Sequence, residues 1–144
     1  MIVVGDTSGL VAAFSIGNPE HRAARAALRE ASVTVVSPLV FAEVEHIVTR
    51  NIDRRTAYAV NGWLLRQEDS MRILVPELAA DALRRARVVQ HRYAGLNLDI
   101  ADAVNVVLAE RYETDSVPTL DRRDFRAIRP LSNHKAFRLL PDDL

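Results

Sequence analysis

The stretch Val33-Thr34-Val35-Val36-Ser37-Pro38-Leu39-Val40-Phe41-Ala42-Glu43-Val44 decides how this chain folds. Its first four residues are β-branched and read as a short strand. Ser37 and Pro38 then make an N-cap and first-turn pair: the hydroxyl accepts from a first-turn amide, and proline lacks a donor that would have no partner there. From Leu39 to Val48 the apolar residues belong to a helix. A strand running almost directly into a helix is the unit from which parallel sheets are built.

The same unit recurs on either side. Ile2-Val3-Val4 is a first strand, ended by Gly5-Asp6 and followed by a short helix over Leu10–Phe14. Pro19 marks the first turn of another helix, with Ala23, Ala24, Ala27, Leu28 and Ala31 inward and Arg22, Arg25 and Arg29 outward. A helix from Arg54 to Gln67 precedes a third strand over Met71–Val75, closed by Pro76. A further helix spans Glu77–Tyr93 and stops at Gly95. The next, Asn97–Tyr112, is strongly apolar, with Ile100, Ala103, Val104, Val107 and Leu108 on its buried side. Ser116–Leu120 is a fourth strand, which Pro118 restricts to an edge or irregular role; Phe137–Leu140 is a last one. The expectation is an α/β fold with a central parallel sheet flanked by helices on both faces, in a single domain over residues 1–144.

Composition narrows the chemistry. There is no cysteine, so disulfides, zinc–thiolate sites and cysteine nucleophiles are excluded. No two of His21, His46, His91 and His134 are spaced as a metal-binding pair, and Glu43 with His46 is half of a di-iron motif that has no second copy. The N-terminus has no basic leader and no run reaches membrane-span length, which leads to an expectation of a cytoplasmic protein without a membrane partner. Net charge is zero, with 19 basic and 19 acidic residues, so bulk charge does not announce a polyanion partner. All but one of the basic residues are Arg, the exception being Lys135. Arg suits bidentate phosphate contacts, and biased base composition would produce the same preference.

In an open parallel sheet ligands bind beyond the carboxyl ends of the strands. Asp6 and Asp121 follow the first and fourth strands, Glu43 lies in the helix after the second, and Asp102 opens the helix before the fourth. Carboxylates gathered in one place repel each other and call for a cation. An all-oxygen set suits Mg²⁺ or Mn²⁺, which can activate water and stabilise charge on a phosphate. Each acid also has an ordinary role open to it. Asp6 can cap a helix, Glu43 can be solvated, and Asp121 can make a turn in which Asp124 competes. Asp99 suits an N-cap or outer position, and Asp102, flanked by Ala101 and Ala103, suits a ligand. Arg122 and Arg123, beside Asp121, are candidates for holding flanking phosphates or are plain surface residues.

Taken in order, Val3-Val4-Gly5-Asp6-Thr7-Ser8, Ser37-Pro38-Leu39-Val40-Phe41-Ala42-Glu43-Val44, Ile100-Ala101-Asp102-Ala103-Val104, Thr119-Leu120-Asp121-Arg122-Arg123-Asp124-Phe125 and Leu139-Leu140-Pro141 resemble the PIN-domain family, and within it the VapC-type toxins of prokaryotic toxin–antitoxin pairs. The resemblance implies a Rossmann-like sheet and a Mg²⁺- or Mn²⁺-dependent endoribonuclease. It implies Asp6, Glu43 and Asp102 as core acids, Asp6 and Asp102 as prime metal ligands, and Asp121 as a fourth, more variable acid. Thr7 or Ser8, with Thr119, would be supporting hydroxyls. It further implies a homodimer and a cognate VapB-type antitoxin that blocks the cleft, often with a basic side chain. Gly5 departs from the apolar or β-branched residue usual before the first Asp. Rivals remain: a haloacid-dehalogenase-type phosphatase, which needs an Asp where Ser8 stands; a receiver domain, which lacks its acidic pair here; and a non-catalytic RNA-binding module.

Overall fold

The computed structural model describes all 144 residues, Met1–Leu144. β1 (Ile2–Val4), β2 (Val33–Val35) and β3 (Ile73–Leu74) pair in parallel, with Ile2 opposite Val33, Val4 opposite Val35, and Val35 opposite Leu74. β4 (Ser116–Pro118) and β5 (Arg138–Leu140) form a second parallel pair, Val117 opposite Leu139. The two ladders meet edge to edge where the Asp6 amide donates to the Pro118 carbonyl at 3.0 Å. Across the molecule the strands therefore run β3-β2-β1-β4-β5, and the order reverses between β1 and β4.

Pro118 explains why the sheet is split there. In a strand the amide and carbonyl of one residue point to the same neighbour, and Pro118 turns its carbonyl to β1. The donor it lacks is therefore missing on the β1 side. Thr114 bridges part of the gap: its hydroxyl donates to the Ile2 carbonyl at 2.7 Å and accepts from the Ser116 amide at 3.1 Å. β4 is thus an irregular internal strand rather than an edge.

Helices cover both faces. Alternation along the strands sends Val4, Val35, Val117 and Leu139 to one face, where they pack with α6 (Ile100–Arg111), Ala82, Ala86 and Val89 of α5 (Ala80–Arg92), and Phe125 of α7 (Arg122–Ala127). Val3 and Leu140 turn to the other face and meet Ala27 and Ala31 at α2 (His21–Glu30). Leu10 of α1 (Thr7–Phe14) packs there with Val40, Val44 and Val48 of α3 (Pro38–Asn51) and with Ala57 and Leu64 of α4 (Arg54–Asp69). α6 is more central than its sequence suggests: every residue from Ala101 to Ala109 is buried except the half-buried Asp102. A helix apolar all round is an interior helix.

Several boundaries move for local reasons. Pro19 sits in the turn before α2, whose N-cap is Glu20. β3 is only two residues long because Met71, at φ 61°, turns the chain just before it. α5 starts at Ala80 rather than Glu77 and ends at Arg92. The turn into α6 is made not by Gly95 but by Asn97, in the left-handed region at φ 53° after a short 3₁₀ turn over Ala94–Leu96. No helix is long and apolar enough to cross a membrane.

Candidate active site

Asp6 is fixed before its side chain is considered. The Gly5 amide donates to Val35 in β2 at 2.9 Å and the Asp6 amide to Pro118 in β4, so the chain leaves β1 held from both sides. Asp6 as a whole is 3% exposed. Oδ2 accepts from Thr119 Oγ1 at 2.6 Å and from Ser8 Oγ at 3.2 Å, and Oδ1 accepts from Asn105 Nδ2 at 3.4 Å. Each hydroxyl also accepts a backbone amide, Thr119 from Asp121 at 2.9 Å and Ser8 from Leu120 at 2.8 Å. Burial raises the Asp6 pKa; the hydrogen bonds from Thr119, the Thr7 backbone and Ser8 pull against it, and the Asp121 charge adds to the rise.

Two glycines make this packing possible. A Cβ on Gly9 would stand 2.4 Å from the Pro118 carbonyl oxygen, so α1 can lie on β4 only without a side chain there. That approach brings Ser8 within 3.2 Å of Thr119. At Gly5 a Cβ would come within 3.1 Å of Thr34 Cγ2 and 3.3 Å of Leu10. The departure from the usual apolar residue therefore matches the bulk of Thr34 on the neighbouring strand.

The other acids arrive from three helices. Glu43, in the second turn of α3, accepts from Thr7 Oγ1 at 2.9 Å. Its pKa is raised by burial first and then by Asp99 and Asp6, against the Thr7 hydrogen bond. Asp99 is exposed and caps α6, accepting the Asp102 amide at 2.8 Å. Asp102, on the first turn, is pushed up to about 8 by burial and then by the charges of Asp6, Asp99, Asp121 and Glu43. Asp121 caps α7, accepting the Asp124 amide at 3.3 Å, and its pKa is also raised, mostly by burial.

Carboxylate oxygens of Asp102, Asp121 and Asp124 lie within 4.8 Å of one another. Asp124 therefore belongs to the tightest group of acids, while Asp6 couples to Asp102 through its charge. Carboxylates that raise one another's pKa in this way are relieved by a cation, and an all-oxygen donor set suits a hard divalent one. The residues present fit such an ion.

Arg122 and Arg123 part company. Arg122 forms ion pairs with Glu20 at 2.7 Å and with Asp142, tying α7 to the start of α2 and to the C-terminal residues. Its guanidinium is occupied by these pairs, which is neither of the two readings, phosphate contact or plain surface residue, open to it in the sequence. Arg123 is exposed and makes no ion pair. Asn105, three residues after Asp102, is the site residue sequence reasoning missed; its only signal was an amide in the otherwise apolar run after Asp102.

A family model for the PIN domain matches residues 3–130. The chain belongs to the PIN-domain family. It is 35% identical over 137 residues to Ribonuclease VapC26 of Mycobacterium tuberculosis, covering 94% of this chain and 98% of that one. Among solved structures it resembles Mycobacterium tuberculosis VapC20, a Sarcin-Ricin loop cleaving toxin, with a TM-score of 0.75 and 21% identity over 85% of this chain and 92% of that one. VapBC2 of Rickettsia felis, solved bound to a DNA fragment from its promoter, matches with a TM-score of 0.67 and 16% identity over 96% and 98%. At those identities the structural matches speak for the fold. They agree with the parallel α/β architecture expected from the sequence.

Proposed function

We propose that this PIN-domain protein is a Mg²⁺- or Mn²⁺-dependent endoribonuclease, a single nuclease domain acting in the cytoplasm as the toxin of a toxin–antitoxin pair. The observation that carries the reading is the convergence of Asp6, Glu43, Asp102 and Asp121 at the crevice between β1 and β4, in a chain 35% identical over nearly its full length to a VapC ribonuclease. An open α/β sheet binds its ligand where the strand order reverses.

Asp102, Asp121 and Asp124, with Asp6, would hold the divalent ion, which when bound supplies Lewis-acid charge at the phosphate and a more acidic water. Asp6 is kept in place by Thr119 and Ser8, which satisfy Oδ2 and leave Oδ1 with one long hydrogen bond. Thr7 occupies Glu43 Oε1. Oε2 is then the atom to orient a water attacking the phosphodiester, and burial raises the Glu43 pKa, so this carboxylate binds a proton more tightly than a solvated glutamate does. Arg123, free of ion pairs beside Asp121, is placed to contact flanking phosphates. A cognate VapB-type antitoxin and a homodimer complete the proposal; the neighbouring folds include VapBC2 and a toxin–antitoxin complex from Klebsiella pneumoniae.

The test is RNA cleavage by purified protein free of any antitoxin, with Mg²⁺ or Mn²⁺ and with EDTA. Cleavage should require the ion and fall by more than about a hundredfold in Asp102→Asn. Cleavage that survives chelation, or an Asp102→Asn protein that cuts as well as wild type, overturns the proposal.

A further inference from the structure

Asn105 is fully buried, and its Oδ1 has no hydrogen-bond partner. Its neighbours along α6, Val104 and Val106, are both fully buried aliphatic residues. An unpaired buried acceptor is costly, and leucine, which has the same branched heavy-atom skeleton in a larger volume, has no acceptor to leave unpaired. The amide makes one hydrogen bond, Nδ2 to Asp6 Oδ1 at 3.4 Å, too long to offset the penalty on its own account. Packing and stability therefore do not explain the residue.

Asp6 supplies the explanation. Its Oδ2 is taken by Thr119 and Ser8, so Oδ1 is the oxygen left for an ion, and Asn105 is the one side chain that donates to it. The amide orientation follows from charge: its N–H group faces a carboxylate, and the reversed amide would set oxygen against oxygen. One hydrogen bond from a neutral donor fixes the Oδ1 direction without adding a positive charge that would compete with a cation. It also leaves lone-pair capacity on Oδ1, since a carboxylate oxygen accepts more than once.

We infer that Asn105 is a positioning residue for the divalent ion, orienting Asp6 Oδ1 through its side-chain N–H group. The inference rests on the proposed metal-dependent nuclease reading. A neutral, buried donor behind a ligand oxygen acts as outer-shell partners of metal ligands do, and loss of such a partner lowers metal affinity about 10–100-fold.

Mn²⁺ binding to the full-length, metal-stripped protein, followed by electron paramagnetic resonance without RNA, tests this directly. Asn105→Leu should weaken Mn²⁺ at least about tenfold, while its melting temperature in EDTA stays equal to or rises above wild type. A purely structural asparagine predicts the reverse, a lower melting temperature with Mn²⁺ affinity unchanged. Asn105→Ala, smaller and equally without a donor, should show the same loss of affinity if leucine is not accommodated. Mn²⁺ affinity within twofold of wild type in a folded Asn105 variant overturns the inference. Asp102→Asn is the control: if it loses Mn²⁺ while the Asn105 variants keep it, only the role of Asn105 fails. If Asp102→Asn also binds Mn²⁺ normally, the metal-site reading itself fails.

Discussion

Replacing Asp102 with asparagine should make the metal-free protein more stable. In the unfolded chain this carboxyl ionises near 3.8; in the fold, burial and the surrounding acids hold it at about 8. At pH 7 folding therefore forces a proton onto a group that would otherwise have lost it. The gap between 3.8 and neutral pH sets a ceiling of about 4 kcal/mol. Asp102 is partly open to solvent, and screening reduces this to about 2 kcal/mol. Asparagine has nearly the same shape and no charge to suppress. For a chain of this size the gain corresponds to about 4–8 °C in melting temperature. Its pH dependence has a definite sign. Between about 4 and 8 the folded protein holds a proton the unfolded chain releases, so wild-type stability falls as pH rises through that window. The advantage of Asp102→Asn should be near zero at pH 4, grow toward pH 8 and then level off. Melting curves in EDTA across that range measure it, and Mn²⁺ should then raise the wild-type melting temperature far more than that of the variant. A variant that melts at or below wild type at pH 7, or gains most in acid, refutes the electrostatic account of this site.

Gly9→Ala places a methyl 2.4 Å from the Pro118 carbonyl and should destabilise the fold by at least about 2 kcal/mol in urea denaturation; a loss under half of that would show that α1 can shift at no cost. Asp99→Asn keeps a good cap, so stability and most activity should persist, whereas Asp99→Ala should lose about 1 kcal/mol. Arg123→Ala should weaken RNA binding with a shallower salt dependence, while Arg122→Met, which breaks pairs with Glu20 and Asp142, should leave that slope unchanged. Thr7→Val frees Glu43 and should lower kcat about tenfold with KM little altered; a rise in KM instead would move Thr7 to substrate binding.

What was legible in the sequence is what local chemistry controls. The β-branched runs announce strands, Ser37-Pro38 announces the start of α3, and the Asp99-x-x-Asp102 spacing announces a cap with a second acid one turn in. Asp6, Asp102 and Asp121 are visible because each follows or opens an element whose end is marked, and Glu43 because it stands among the apolar residues of α3. Tertiary contacts are not written in this way. Arg122 and Arg123 are equivalent neighbours in sequence, and only the arrival of Glu20 and Asp142 from distant segments separates them. Asn105 reads as a blemish in an apolar helix until Asp6 is seen across from it. The place of Asp124 in the tight acidic group depends on the direction in which α7 leaves Asp121.

The seam at Pro118 has a mechanical consequence. The five strands are two ladders that meet where the Asp6 amide donates to Pro118, with Thr114 as a side-chain rivet at one end and the hydroxyls of Ser8 and Thr119 gripping Asp6 at the other. The donor that Pro118 lacks is missing from the line on which the acids meet. Separation of the halves would expose the Asp6 amide while amides paired inside each ladder stay protected, so hydrogen exchange there should report the parting of the sheet and the dismantling of the site together.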